Sequence, residues 1–122
     1  MKGKTYKDLD VWQVAMEMVE DTYRATKTWP EAERFGLTSQ AQRSAVSVPA
    51  NIAEGYGRGH TAEYLHHLFI ARGSLLELGT HLELALRLIY IEPTATKNLE
   101  ALMTRVGMML NKLIKALKNI NG

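Results

Sequence analysis

The chain has 122 residues, of which 46% are hydrophobic and 23% charged, with a formal net charge of +2 at pH 7 and no cysteine. This length suits one domain, 1–122, with one hydrophobic core. The lack of cysteine excludes disulfides, thiolate metal sites and a cysteine nucleophile, and fits a reducing cytoplasm. No segment has the roughly 18 uninterrupted apolar residues of a membrane span. We expect no signal peptide, because Lys2, Lys4 and Lys7 lead into a mixed, charged stretch rather than an apolar run. We therefore expect a cytoplasmic protein that does not enter the membrane.

Apolar residues recur every three or four positions along the whole chain, which predicts helices at 8–28, 38–55, 61–90 and 93–119 and no strand. The first helix should end before Pro30, because a residue that precedes proline disfavours helical backbone. Pro93 suits the first turn of the last helix. Four helices with short connections predict an all-α, antiparallel up-down-up-down bundle.

The apolar surface is wider than the seams that we assign to the core. The predicted seam of the first helix is Leu9, Trp12, Met16, Val19, Tyr23 and Thr26. Six more apolar residues lie beside the seams of the first and last helices: Val11, Ala15, Met18, Leu102, Met109 and Ile114. Exposed apolar patches typically mark an interface, so these residues predict a homo-oligomer. The alternative is a monomer with a broad core, in which methionine fills gaps.

The segment 35–58 is the most unusual part of the chain. As a helix it places Ala41, Ala45, Val48 and Ile52 on one side and a polar stripe on the other: Arg43, Ser47, Asn51, Glu54 and Arg58. Pro49 lies inside this segment, where it removes an amide donor and is expected to bend the helix.

Two interpretations of this stripe stay open. It is either a structural polar network between the second and third helices, or a ligand surface. The candidate network comprises Ser47, Glu54, Arg72, Ser74 and Glu77. As a ligand surface, Arg43 and Arg58 would contact phosphates, and Asn51 would contact a base or a sugar.

A second basic surface is predicted on the last helix. Residues 93–122 carry five basic side chains against Glu100 alone: Lys97, Arg105, Lys112, Lys115 and Lys118. Such a surface attracts phosphates or acidic partners. The alternative is a solvated face whose lysines suit the negative end of the helix dipole.

No group of residues argues for catalysis, a metal or a cofactor. Glu63 and His66 form one Glu-x-x-His pair, whereas di-iron bundles need two such pairs. His-Glu-x-x-His is absent, and no serine lies in a Gly-x-Ser-x-Gly turn. The glycine-rich segment 55–59 follows a helix rather than a strand and lacks the Gly-Lys-Ser/Thr of a phosphate loop. We therefore expect a protein that is not an enzyme.

Four motifs cover nearly the whole chain: YKDLDVWQ at 6–13, FGLTSQ at 35–40 with Arg43 and AVSVPANIAEGYGR at 45–58, IARGSLLEL at 70–78, and VGMMLNKLI at 106–114. Together they resemble the 23S rRNA intervening-sequence proteins, a bacterial four-helix-bundle family. The resemblance implies a ring-like homopentamer and a link to genes in rRNA insertions. It also implies similarity to accessory subunits of diversity-generating retroelements, which are thought to bind nucleic acid and a reverse transcriptase. Gln42 departs from the family pattern, where many members carry a basic residue, and so does Gly79, where an acidic residue is usual.

The residues and the resemblance together predict a non-enzymatic, homo-oligomeric binding or scaffold protein with weak, largely sequence-independent affinity for RNA or DNA. Its candidate contacts are Arg43, Asn51, Arg58, Arg105, Lys112, Lys115 and Lys118. Repetition of these side chains around an oligomer would let weak phosphate contacts add. The alternative is a protein-only adaptor that binds itself and another protein, and whose polar stripe is structural.

Overall fold

The computed structural model describes residues 4–121, which form four α-helices and no strand. The helices are α1 (Asp10–Ala25), α2 (Leu37–Gly57), α3 (Thr61–Arg87) and α4 (Lys97–Asn121). The prediction of an all-α chain with four helices is therefore confirmed. Thr26–Thr28 and Pro93–Thr96 form 3-10 turns rather than the α-helical turns that we predicted. Helix α3 ends at Arg87 rather than at residue 90, and the other bounds that differ do so by one or two residues.

Consecutive helices pack side by side in antiparallel directions, and α4 returns to pack on α1. Along α2 and α3, Ser47 meets Ser74 and Asn51 meets His67, so residue numbers rise on one helix as they fall on the other. This order of neighbours places α2 and α4 on a diagonal of the bundle, and their exposed faces point to different sides. No helix within residues 4–121 combines the length and the apolar character needed to cross a membrane.

The core face of α2 is the one that the sequence predicts. Ala41, Ala45, Val48 and Ile52 are all fully buried. Helix α2 continues without a break through Pro49, which is buried as well. On α3 the facing side chains include the small residues Ala71 and Ser74. Small side chains on both helices let the two backbones approach closely.

The six apolar residues that we expected outside the core lie in it or pack against it. Val11, Ala15, Met18, Leu102 and Ile114 are buried, and Met109 packs partly buried against the core. Conversely, Met16 and Tyr23 of the predicted α1 seam are exposed. An apolar helix face wider than 100° contains two overlapping sets of residues that are three and four positions apart. On α1 the core uses the set that contains Val11, Ala15 and Met18 rather than the predicted seam. These six residues therefore give no support for a homo-oligomer, which stays a prediction.

A different set of apolar side chains is exposed on the outer surface of α3 and α4. Leu76 is 71% exposed and Met108 is 67% exposed. Between the two helices runs a groove of about 530 Å³, whose apolar lining includes Leu75, Leu76 and Met103. Together, helices α3 and α4 thus expose more large apolar side chains than α1 does.

Candidate functional site

The polar stripe of α2 lies against α3 and is tied to it by hydrogen bonds. The hydroxyl oxygens of Ser47 and Ser74 lie 2.8 Å apart. The amide nitrogen of Asn51 donates to the carbonyl oxygen of Ser47 at 2.9 Å and to its hydroxyl oxygen at 3.0 Å. The amide oxygen of Asn51 lies 3.0 Å from Nδ1 of His67. We call this chain of hydrogen bonds, from His67 through Asn51 and Ser47 to Ser74, the hairpin network.

Arg58, at the end of the same stripe, is matched by two carboxylates. Its guanidinium donates to Glu54 one turn earlier and lies 3.8 Å from a carboxylate oxygen of Glu63 at the start of α3. All three side chains are about half exposed, so the ion pairs are screened by solvent. Arg58 is therefore available to a phosphate only in competition with Glu54 and Glu63.

Arg43 differs from Arg58, because it is exposed and has no carboxylate within 4 Å among residues 4–121. It stands at the edge of a polar cleft of about 370 Å³ between α2 and α3. The cleft is lined by Gln40, Arg43, Ser44, Ser47, Ser74, Glu77 and His81. Within it, Nδ1 of His81 is buried and meets no hydrogen-bond partner in the described part of the chain. Because Glu77 also lines this cleft, its side chain lies in the same cleft as the hydroxyl groups of Ser47 and Ser74.

The exposed face of α4 carries the predicted basic surface. Five exposed cations occupy about 140° of its circumference at 100° per residue, and span about 30 Å at 1.5 Å per residue. They are Lys97, Arg105, Lys112, Lys115 and Lys118. None of the five has an acidic partner within 4 Å in the region 4–121. Glu100, the acidic residue of this helix, accepts a hydrogen bond from Thr96 instead. We call these five side chains the α4 basic face.

Arg72 lies away from the hairpin network, on the side of α3 that meets α4. It donates to Oδ1 of Asn111 at 3.0 Å, and its guanidinium carbon lies 5.0 Å from the ring centre of Phe69. The ammonium of Lys118 lies over the same ring at 5.3 Å. Of the predicted network residues, the structure therefore joins Ser47 and Ser74 by a direct hydrogen bond and puts Glu77 in their cleft, whereas Glu54 and Arg72 have other partners.

The sequence analysis missed His67, Phe69 and Asn111. For His67 a signal was available, because residues equally far from the turn near Gly59 face each other in an antiparallel hairpin, and this rule pairs Asn51 with His67. No comparable rule pairs Phe69 with Lys118, since the turn between α3 and α4 is longer and its shape is not apparent from the residues. Across residues 4–121 no group of three or more His, Asp or Glu side chains could hold a metal ion.

The comparisons with known proteins agree with this geometry at the level of the fold. A family model described as 23S rRNA-intervening sequence protein matches residues 7–112. One similar solved structure is a protein with unknown function from the S23 ribosomal protein family of Bacteroides thetaiotaomicron VPI-5482. It shares 26% sequence identity with the chain, covers 86% of this chain and 98% of its own, and superposes with a TM-score of 0.79. No curated protein matches the chain.

Proposed function

The chain belongs to the 23S rRNA-intervening sequence protein family, and from this membership and its surface charge we propose that it is a non-enzymatic, homo-oligomeric scaffold that binds RNA weakly. The observation that carries the proposal is the α4 basic face, where five exposed cations lie together without an acidic partner among residues 4–121, in a chain whose net charge is only +2. Such a face neutralises phosphates and releases counterions, which gives affinity without sequence preference.

The candidate contacts on α2 contribute less in this proposal. Asn51 has both ends of its amide engaged in the hairpin network, and Arg58 is matched by Glu54 and Glu63. Arg43 is exposed and has no acidic partner in the described part of the chain, but it lies on α2, diagonally across the bundle from α4. We therefore assign phosphate contact to α4 and treat the α2 stripe mainly as the element that fixes α2 on α3.

Repetition of the basic face is what makes weak contacts sufficient. One α4 offers a handful of phosphate contacts, and several copies held together would raise the apparent affinity without any new contact. The exposed Leu76, together with the apolar groove between α3 and α4, provides the surface for self-association.

A salt titration tests the proposal. Binding of a fluorescent structured RNA is followed by fluorescence anisotropy between about 50 and 300 mM salt, a range wide enough to measure how affinity falls as counterion release becomes less favourable. We compare Lys112→Gln/Lys115→Gln with Lys7→Gln/Lys27→Gln, which removes the same charge from exposed sites outside α4. The α4 variant should make the slope of log K against log salt shallower by about 0.7–0.9 per charge removed, and the control should not. Absent or salt-independent binding, or equal loss in both variants, would contradict it.

A second candidate function is a protein-only adaptor, and the engagement of the α2 stripe within the fold favours it. Under this alternative, Arg43→Ala changes the assembly rather than the affinity for RNA, and the chain does not bind RNA at low salt. Light scattering with and without RNA distinguishes the two functions, because only the RNA-binding scaffold gains mass when RNA is added.

A further inference from the structure

Phe69 lies on the rim of the α4 basic face, in the cleft between α3 and α4. The residue is 38% exposed. Arg72 lies over the ring at 5.0 Å and Lys118 at 5.3 Å, measured to the ring centre. Asn111 of α4 holds the guanidinium of Arg72 through a 3.0 Å hydrogen bond. The cluster therefore unites an accessible aromatic ring, two cations and an amide.

We propose that Phe69, Arg72 and Lys118 form a stacking site for one unpaired base of a single-stranded nucleic acid. This inference rests on the proposed function and adds to it the form of nucleic acid that is preferred. A base offers a π-face to an aromatic ring or a guanidinium plane, and such stacking tolerates any base. Bases inside a duplex are stacked on one another and cannot reach the ring, so the site selects single strands.

The surroundings of the ring suit this ligand. Lys115 lies one turn from both Asn111 and Lys118 on the exposed side of α4, and Lys112 and Arg105 continue the cationic track. A strand whose base lies on Phe69 therefore has its backbone beside several ammonium groups. Lys118 is exposed and has a long side chain, so in this proposal its ammonium leaves the ring and pairs with the neighbouring phosphate when a base takes its place.

Phe35 supplies a matched control. It is the second of the two phenylalanines, is 87% exposed, and has the guanidinium of Arg34 at 5.2 Å from its ring centre. It lies just before α2, outside the α4 basic face. A simple effect of removing an exposed ring beside an arginine would therefore appear equally at Phe35 and Phe69.

The test compares a fluorescent single strand of about 12 nucleotides with a duplex of the same length, within the site sizes known for single-strand binders. Wild type should bind the single strand more tightly. Phe69→Leu should lose about tenfold in affinity for the single strand, keep its affinity for the duplex and keep the salt slope. Phe35→Leu should change neither. The proposal is overturned if Phe69→Leu binds each ligand as tightly as wild type does. It is also overturned if Phe69→Leu loses the same affinity for the duplex as for the single strand.

Two further results keep the inference separate from the proposed function and from folding. If wild type binds neither ligand at low salt, the proposed function itself fails, whereas salt-dependent binding that ignores Phe69→Leu overturns only the stacking site. Should Phe69→Leu unfold, NMR of wild type labelled at phenylalanine decides the matter, since the chain has two such rings. Single-stranded RNA should shift the Phe69 ring signals and leave those of Phe35 unchanged, and unshifted Phe69 signals in the bound state refute stacking. Single-stranded DNA, as a parallel ligand, reports whether the sugar matters.

Discussion

Gly55 of α2 faces His67 of α3 so closely that a Cβ atom at Gly55 would lie 2.8 Å from the Cβ of His67. The same atom would lie 3.1 Å from Cδ1 and 3.2 Å from the carbonyl oxygen of Tyr64. The Cβ of His67 is bonded directly to the backbone and the oxygen of Tyr64 belongs to it, so neither atom can move aside without a shift of the backbone. The hairpin network, which begins at His67, depends on this close approach.

Gly55→Ala is therefore expected to destabilise the protein by about 1–3 kcal/mol, as overpacking in a closed interface does. The matched control is Gly73→Ala, because Gly73 is exposed on α3 and a Cβ there meets nothing within 4 Å. That change should stabilise by about 0.5–1 kcal/mol through helix propensity. Urea unfolding of both variants measures the two effects, and a stabilised Gly55→Ala would contradict the close packing.

The sequence predicted α2 better than α1, and the reason is physical. On α2 the small apolar residues Ala41 and Ala45 stand opposite arginine and short polar groups, which leaves one possible core face. On α1 the apolar band is broad enough for two seams, and only packing against α2 and α4 decides that Met18 is buried and Met16 exposed. For the candidate site, spacing along one helix located the polar stripe. The partners of this stripe on α3, and the contacts between α3 and α4 at Phe69, depend on how the helices are joined.

Asn51→Ala separates the two interpretations of the polar stripe. The change removes hydrogen bonds to Ser47 and to His67 at a partly buried position, and should lower stability by about 1–2 kcal/mol. It should leave the affinity for RNA unchanged after correction for the folded fraction. Chemical unfolding and anisotropy titration of the same preparation check both statements. A loss of RNA affinity without loss of stability would instead make Asn51 a ligand contact.

Ile89 adopts a strained backbone conformation immediately after α3. Its φ is 61°, a region that β-branched residues rarely occupy, and its side chain is 82% exposed. The turn is of the Schellman type, because the amide of Tyr90 donates to the carbonyl of Ala85 at 2.8 Å and that of Ile89 to Leu86 at 3.1 Å. The conformation therefore belongs to the end of the helix and would be retained by glycine.

Ile89→Gly should accordingly stabilise the chain by about 1 kcal/mol. The change removes the steric cost of a Cβ in left-handed backbone, and part of this gain is offset because glycine loses more conformational entropy on folding. Ile89→Ala keeps the Cβ and should give a smaller gain. Thermal unfolding ranks the three proteins. If both variants are less stable than wild type, the isoleucine side chain contributes packing that outweighs its backbone strain.

Glu33 joins the beginning of α2 to the end of α3. One carboxylate oxygen accepts the amide of Leu37 at 3.0 Å, and the other accepts the hydroxyl of Tyr90 at 2.8 Å. These two hydrogen bonds lower the pKa of Glu33 below its usual 4.5, and the bond from Leu37 has the larger effect. Burial of the carboxylate acts in the opposite direction and raises the pKa. The same contact raises the pKa of Tyr90 above its usual 10.0, with burial and the Glu33 charge adding to the effect.

The sign of the pH dependence follows from these directions. Because the folded pKa of Glu33 is the lower one, its charged form stabilises the fold above pH 4.5, and this contribution disappears as the pH falls through the folded pKa. Glu33→Gln cannot titrate, so the difference in unfolding free energy between wild type and the variant should be constant near neutrality and shrink below pH 4.5. Urea unfolding from pH 3 to 8 measures this difference, and a difference that stays constant to pH 3 would contradict the two hydrogen bonds.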